Sequence, residues 1–195
     1  MDGYQRRTEK KKESIRKAAF ELFSTYGVEK VSIAEIAKKA NVSPVSIYNY
    51  FGSKEELTKA VIEEFFNTEM EKFEKIFHMD IPFPKKVEKV LFDRMELTKS
   101  ISTDFLKSIT DPAIQKVIED WTYKKAMPAM MELIEQGRQS GYINPQISIE
   151  SIILYFQIFT EAIQHPELIA NQNKQSIIDL GELFFYGLIG KPRED

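Results

Sequence analysis

The chain contains no cysteine. That excludes disulfides, thiolate zinc sites and thiol nucleophiles, and it fits a reducing compartment. It has only two histidines, His78 and His165, and neither has a metal-ligand partner at helical spacing, so no metal site is expected. No apolar run approaches the ~20 residues of a membrane span. The N-terminus is charged (Arg6, Arg7, Lys10, Lys11, Lys12) but leads into no apolar segment of the signal-peptide kind, which makes a cytoplasmic protein the expectation. There is no glycine-rich phosphate loop, and the carboxylates are spread along helix faces. The composition therefore argues against an enzyme, with no catalytic residues and no cofactor expected.

What is present is a core. Of 195 residues, 43% are hydrophobic and 12% aromatic, enough for one large domain or two small ones. The net charge of −3 hides a split: residues 1–60 hold 12 Lys and Arg against 8 Asp and Glu, and residues 61–195 hold 15 against 22. A basic front on an acidic body is the asymmetry of a nucleic-acid-binding module joined to a part that does not bind nucleic acid, although chance variation in surface charge gives the same split.

The chain reads as helices throughout. Residues 1–7 read as a flexible arm, in which Arg6 and Arg7 either reach a minor groove or belong to a disordered basic tail. A first helix is predicted over about 8–26, because Ile15, Ala18, Ala19, Leu22, Phe23 and Tyr26 form one stripe at helical period, closed by Gly27. The densest signals lie in residues 32–54. Ser32 with Glu35 is a capping box for a short helix over 33–40, whose inner face is Ile33, Ile36, Ala37 and Ala40. Asn41 and Val42 turn the chain. Ser43 and Pro44 start a second short helix over 44–51, with Ile47 and Phe51 inward and Gly52 as its stop. Ser53 with Glu56 caps a long helix running to about Phe77. Two short helices with small residues at their crossing pack steeply as a helix-turn-helix, leaving Pro44, Val45, Ser46, Tyr48 and Asn49 outward with no acidic charge among them.

The residues Ile36-Ala37, Ala40-Asn41-Val42-Ser43, Ile47-Tyr48, Tyr50-Phe51 and Lys54-Glu55-Glu56-Leu57 closely resemble the DNA-binding domain of the TetR (tetracycline-repressor-like) family of bacterial transcriptional regulators. The resemblance covers about residues 8–60. It implies an all-α protein with a helix-turn-helix domain over 1–53, joined through a long shared helix to an effector-binding and dimerisation domain over 54–195. It implies that the helix from Pro44 enters the major groove of a double-stranded operator, with Pro44, Val45 and Ser46 near base edges. Tyr48, Tyr50 and Lys54 then hold phosphates, and Ser32 joins them from the start of the preceding helix. Asn49 has the chemistry for a bidentate adenine contact if it faces the groove. Tyr50 stands where the family often has histidine.

Further along, helices are predicted over about 84–100, 103–109 and from 112 to an end near Gly137 to Gly141, the last kinked at Pro128. Residues 148–164 and about 173–189 are apolar on more than one side. Such helices need cover on two sides, either centrally within one chain or between two copies in a four-helix bundle. The dimer reading places Ile152, Tyr155, Phe156, Phe159, Ile163, Leu180, Leu183, Phe184 and Leu188 at the interface. The resemblance also implies a small-molecule effector pocket. Phe66, Phe73, Phe92, Met95, Trp121, Met130, Tyr155 and Phe159 are its candidate lining, against the alternative that each is ordinary core. Their chemistry points to an apolar or aromatic effector. The function expected is a homodimeric repressor released by its ligand. An activator or a ligand-independent regulator would bind DNA the same way, and a helical dimeric adaptor is the rival without DNA.

Overall fold

The structure is a computed structural model. It describes residues 3–163 together with residues 179, 180, 183 and 187. The described residues are all-α, as expected. None of their helices is long and apolar enough to cross a membrane. Most of the last expected helix, 173–189, lies outside them, including Phe184 and Leu188.

Helix α1 spans Gly3–Tyr26, so residues 3–7 are helical rather than an arm. The apolar stripe that marks the helix in the sequence starts only at Ile15. The preceding residues are polar but are mostly good helix formers, so helix was possible there without a periodic signature. Ile15, Ala18, Ala19 and Phe23 are buried, whereas Tyr26, expected in the same stripe, is exposed. Helices α2 (Ile33–Ala40), α3 (Pro44–Phe51) and α4 (Lys54–Phe77) have the expected bounds. They are followed by α5 (Phe83–Ser100), α6 (Thr103–Ser108) and α7 (Pro112–Trp121). A π-helical turn, Thr122–Ala126, leads into α8 (Met127–Gln139), and α9 is Ile149–Ile163. Where a kink was expected at Pro128, the helix changes hydrogen-bond register in this π turn. Proline has no N–H for the carbonyl four residues back, Lys124, and the turn that changes hydrogen-bond register contains that carbonyl.

Among the described residues the chain divides into two compact units. One comprises the residues up to Glu71 with Lys99–Lys124; the other comprises Lys72–Thr98 with the residues from Lys125 onward. In the first, Ile15, Ala19, Phe23, Ile36, Ala37, Ile47, Leu57, Val61, Ile62, Phe105 and Ile114 form one buried cluster. Aromatic rings extend it. Phe65 stacks on Phe20 at 5.1 Å and meets Phe105 edge-on at 6.2 Å, and Phe66 lies 5.0 Å from Trp121. Helices α6 and α7 thus pack with α1 and α4 in the core that supports α2 and α3. The second unit has its own core of Phe77, Phe83, Val87, Leu133, Ile134, Ile143 and Ile152.

Candidate nucleic-acid interface

The helix-turn-helix is built from its caps inward. Ser32 is the N-cap of α2: its Oγ accepts from the Glu35 N–H at 3.3 Å, and the Glu35 carboxylate accepts from the Ser32 N–H at 2.8 Å. The Ser32 hydroxyl also donates to that carboxylate, at 2.6 Å. These bonds, from the hydroxyl first and the amide second, hold the Glu35 carboxyl below the usual glutamate range, with Lys54 adding a smaller electrostatic pull. The hydroxyl proton of Ser32 is therefore already committed, and a phosphate at this helix end has to compete with Glu35 for it.

Asn41 ends α2 in the left-handed region, φ 54° and ψ 47°, a conformation asparagine tolerates better than most residues. Its N–H and that of Val42 return to the carbonyls of Lys38 and Ala37, at 3.3 and 3.0 Å. Ser43 then caps α3, accepting from the Ser46 N–H at 3.1 Å, with Pro44 in the first turn where its missing N–H costs nothing. Ile47 is fully buried and pins α3 to the core. At the far end Gly52 takes φ +82°, and Ser53 caps α4 by accepting from the Glu56 N–H at 3.0 Å.

Around this pin the expected DNA-contacting residues sort by exposure. Pro44, Val45, Tyr48 and Asn49 are exposed, and their spacing at i, i+1, i+4 and i+5 puts them on one face of α3. Val45 is 65% and Tyr48 51% exposed, so two large side chains stand in water with no partner within the chain's core. Ser46 is half-buried, its hydroxyl 2.8 Å from that of Ser43. Tyr50 is half-buried against the first core, and Lys54 is half-buried at the start of α4. Chemically, the α3 face is uncharged, carries apolar surface and one amide, and has hydroxyls and an ammonium around it.

A contact that no sequence pattern announced braces the module from behind. Lys30, in the turn between α1 and α2, forms an ion pair with Asp104 of α6. In the same place Ser102 N–H donates to the Ser24 carbonyl at 2.9 Å, and the Val28 N–H reaches the Ser108 hydroxyl at 3.4 Å.

The candidate pocket residues do not gather in one unit. Phe66 and Trp121 pack together in the first, where the Trp121 indole N–H donates to Asn67 at 2.9 Å. Phe73, Met130 and Tyr155 pack on the core of the second. The side chains of Phe92, Met95 and Phe159 lie outside the described part. Of the expected dimer residues, Ile152 is 2% exposed and belongs to the chain's own core, so it does not face a second copy. Tyr155 and Phe156 are half-buried on that core, and burial pushes the Tyr155 phenol up. The outward side of α9 is instead Leu154 and Ile158, 55% and 54% exposed. Of the other expected interface residues, Leu180 is half-buried and Leu183 exposed, and the side chain of Ile163 is outside the described part.

Residues 15–61 match the N-terminal domain of the bacterial regulatory proteins of the tetR family. The chain is 28% identical over 184 residues to the HTH-type transcriptional regulator YhgD of Bacillus subtilis (strain 168), covering 89% of this chain and 94% of that protein. Among solved structures it resembles the transcriptional regulator FadR from Bacillus subtilis in complex with stearoyl-CoA (TM-score 0.68, 20% identity, 92% of this chain and 98% of that one). It also resembles the reduced form of E. coli NemR (TM-score 0.74, 14% identity, 94% and 99%).

Proposed function

We propose that this chain, a DNA-binding transcriptional regulator whose residues 15–61 belong to the tetR family of bacterial regulatory proteins, acts as a homodimeric repressor. Two copies read the halves of a palindromic operator, and a small apolar molecule releases them. In this reading residues 1–53, together with Lys54 at the start of α4, contact DNA, and residues 54–195 bind the ligand and dimerise, with α4 shared between the two tasks.

The observation that carries the DNA half is the exposed face Pro44, Val45, Tyr48 and Asn49 on a helix pinned by the buried Ile47. Apolar groups there suit thymine methyls, Asn49 suits adenine, and Tyr50, Lys54 and Ser32 surround the face with phosphate donors. None of the exposed four is an arginine, so shape and apolar contact carry more of the specificity than bidentate guanine reading does.

Dimerisation is supported by Leu154 and Ile158, two aliphatic side chains more than half exposed one turn apart on α9. A second copy covers them, and the two recognition helices are then held at a fixed half-site spacing. Ligand control is supported by the packing of α6 and α7 against α1 and α4, which gives residues outside the reading head a direct hold on it. The effector binds the non-DNA arrangement better, and its differential affinity sets how far the equilibrium moves. The apolar and aromatic side chains of the second core, together with the stearoyl-CoA held by the similar FadR, make a long acyl chain the ligand class to test first.

The experiment is selection of duplexes from a random pool, followed by gel shifts with and without long-chain acyl-CoA. Selection of a palindrome and its release by acyl-CoA is the expected result. Failure to select any duplex overturns the regulator reading. Selection without release overturns the ligand class.

A further inference from the structure

The first three turns of α1 make no sense as free-standing structure. Gly3–Ser14 contains no buried residue; the first is Ile15. A helix of that length without a packed face is marginal in water. Its charges make matters worse. Residues 3–17 hold seven lysines and arginines against two glutamates. No acidic residue stands in the first turn, and Arg6 and Arg7 sit beside the partly positive helix N-terminus. Arg6 with Lys10, and Arg7 with Lys11, are like charges at i, i+4, which repel on a helix.

These cations are also ordered. Arg7, Lys10, Ser14, Lys17 and Glu21 are spaced by three and four residues, so they form one line along α1, flanked by Arg6 and Lys11. The line runs about 21 Å and ends at Glu21, whose carboxylate meets Lys39 of α2 at 2.9 Å. It therefore leads into the helix-turn-helix from the same side as α2. The remaining cations of the segment lie elsewhere and are occupied. Lys12, on the opposite side, pairs with Glu9 at 3.5 Å, and Arg16 pairs with Glu64 of α4. No side chain of Arg6, Arg7, Lys10, Lys11 or Lys17 forms an ion pair or hydrogen bond among the described residues.

We propose that this basic line is an extension of the DNA interface: Arg7, Lys10 and Lys17, flanked by Arg6 and Lys11, follow the phosphates beside the segment read by α3. Neutralisation of the line by the DNA steadies the helix over Gly3–Ser14. The proposal rests on the DNA-binding reading. The occupant is a polyanion because only a run of negative charge relieves both the N-terminal cations and the i, i+4 repulsions. It is duplex DNA because α1 shares one buried core with α2 and α3, and its line ends at the Glu21–Lys39 contact with α2.

The test uses the full chain and a duplex that the wild-type protein has selected from a random pool, with flanks extending beyond the selected site. Affinity is measured between about 50 and 200 mM salt for wild type, for the triple variant Arg7→Ala, Lys10→Ala, Lys17→Ala, and for Lys12→Ala. Each lost phosphate contact lowers the salt slope by about 0.9, so the triple variant loses about 2.7 per bound protomer while Lys12→Ala matches wild type. Amide exchange over residues 3–14 slows when the duplex is added. A triple variant with the wild-type slope, a Lys12→Ala effect equal to that of the triple variant, or unchanged exchange over 3–14 overturns the extension alone. A wild-type chain that selects no duplex overturns the extension together with the regulator reading. Alanine is the best helix former and these positions are exposed, so the variants keep their fold.

Discussion

Lys30, in the turn that enters the helix-turn-helix, is ion-paired with Asp104 of α6, a residue 74 positions away. The ammonium holds the Asp104 carboxyl below the usual aspartate range, by the hydrogen bond first and by its charge second. A carboxyl depressed in the folded state contributes stability above its unfolded pKa and loses that contribution as pH falls through the folded value. The brace is therefore intact at neutral pH and fails only below about pH 4. Both partners are substantially exposed, so Asp104→Asn has a small effect on stability at pH 7. The acid limb of a stability-versus-pH curve is flatter in Asp104→Asn than in wild type.

Gly27 lies behind the same contact. Its φ is +84°, and a Cβ placed on it would stand 2.7 Å from the Cβ of Asp104. Gly27→Ala therefore incurs both left-handed strain and a clash that no rotamer relieves. Urea unfolding is expected to show a loss of about 2 kcal/mol or more. A loss below about half a kilocalorie per mole would mean that α6 does not hold this turn.

The caps give a graded prediction. Ser43→Ala removes the acceptor for the Ser46 N–H and costs about 1 kcal/mol of stability. Ser32→Ala costs a similar amount and also frees the Glu35 carboxylate, whose pKa then rises toward the ordinary glutamate range. A pH titration of Glu35 by NMR in the two variants separates them: it shifts in Ser32→Ala and stays in place in Ser43→Ala.

On α3 the inner and outer residues are expected to fail in opposite ways. Ile47→Ala loses about 2–5 kcal/mol because Ile47 is fully buried. Val45→Ala and Asn49→Ala stay within about 0.5 kcal/mol of wild type because they touch little. Both nonetheless weaken DNA binding. Thermal melts and gel shifts on the same preparations check the split.

The outward side of α9 gives the oligomer prediction. Leu154→Glu with Ile158→Glu puts charge on surface that the proposed dimer buries, and sedimentation is expected to report a monomer that binds DNA weakly. Ile152→Glu is the contrast: it buries a charge in the chain's own core and lowers the melting temperature instead.

How much of this was legible in the sequence depended on whether the signal was local. Ser32 with Glu35, Asn41, Ser43 with Pro44, and Gly52 each satisfy or end a helix within a few residues, so the bounds of α2, α3 and α4 could be read directly. The start of α1 could not. Residues 3–14 bury nothing, and an apolar stripe cannot mark a helix that has no core to face. Tyr26 fitted the stripe by spacing but sits in the last turn, outside the packed length. Gly27 was readable as a helix stop, but its approach to Asp104 joins elements far apart in the chain, and no period records that. On α9 both sides are apolar, so composition alone did not distinguish Ile152, which faces inward, from Leu154 and Ile158, which face out. The exposed side of α3 was legible for a simple reason: once Ile47 is assigned to the core, Pro44, Val45, Tyr48 and Asn49 have nowhere to point but outward.

The central claim is that α3 and its flanking cations bind a two-fold DNA site, and a salt titration of binding to the selected duplex tests it most directly. The account predicts that log K falls linearly and steeply with log salt, that Lys54→Ala makes that slope shallower by about 0.9 per protomer, and that scrambling one half-site abolishes tight binding. Affinity that does not vary with salt, or that survives the loss of a half-site unchanged, would contradict it.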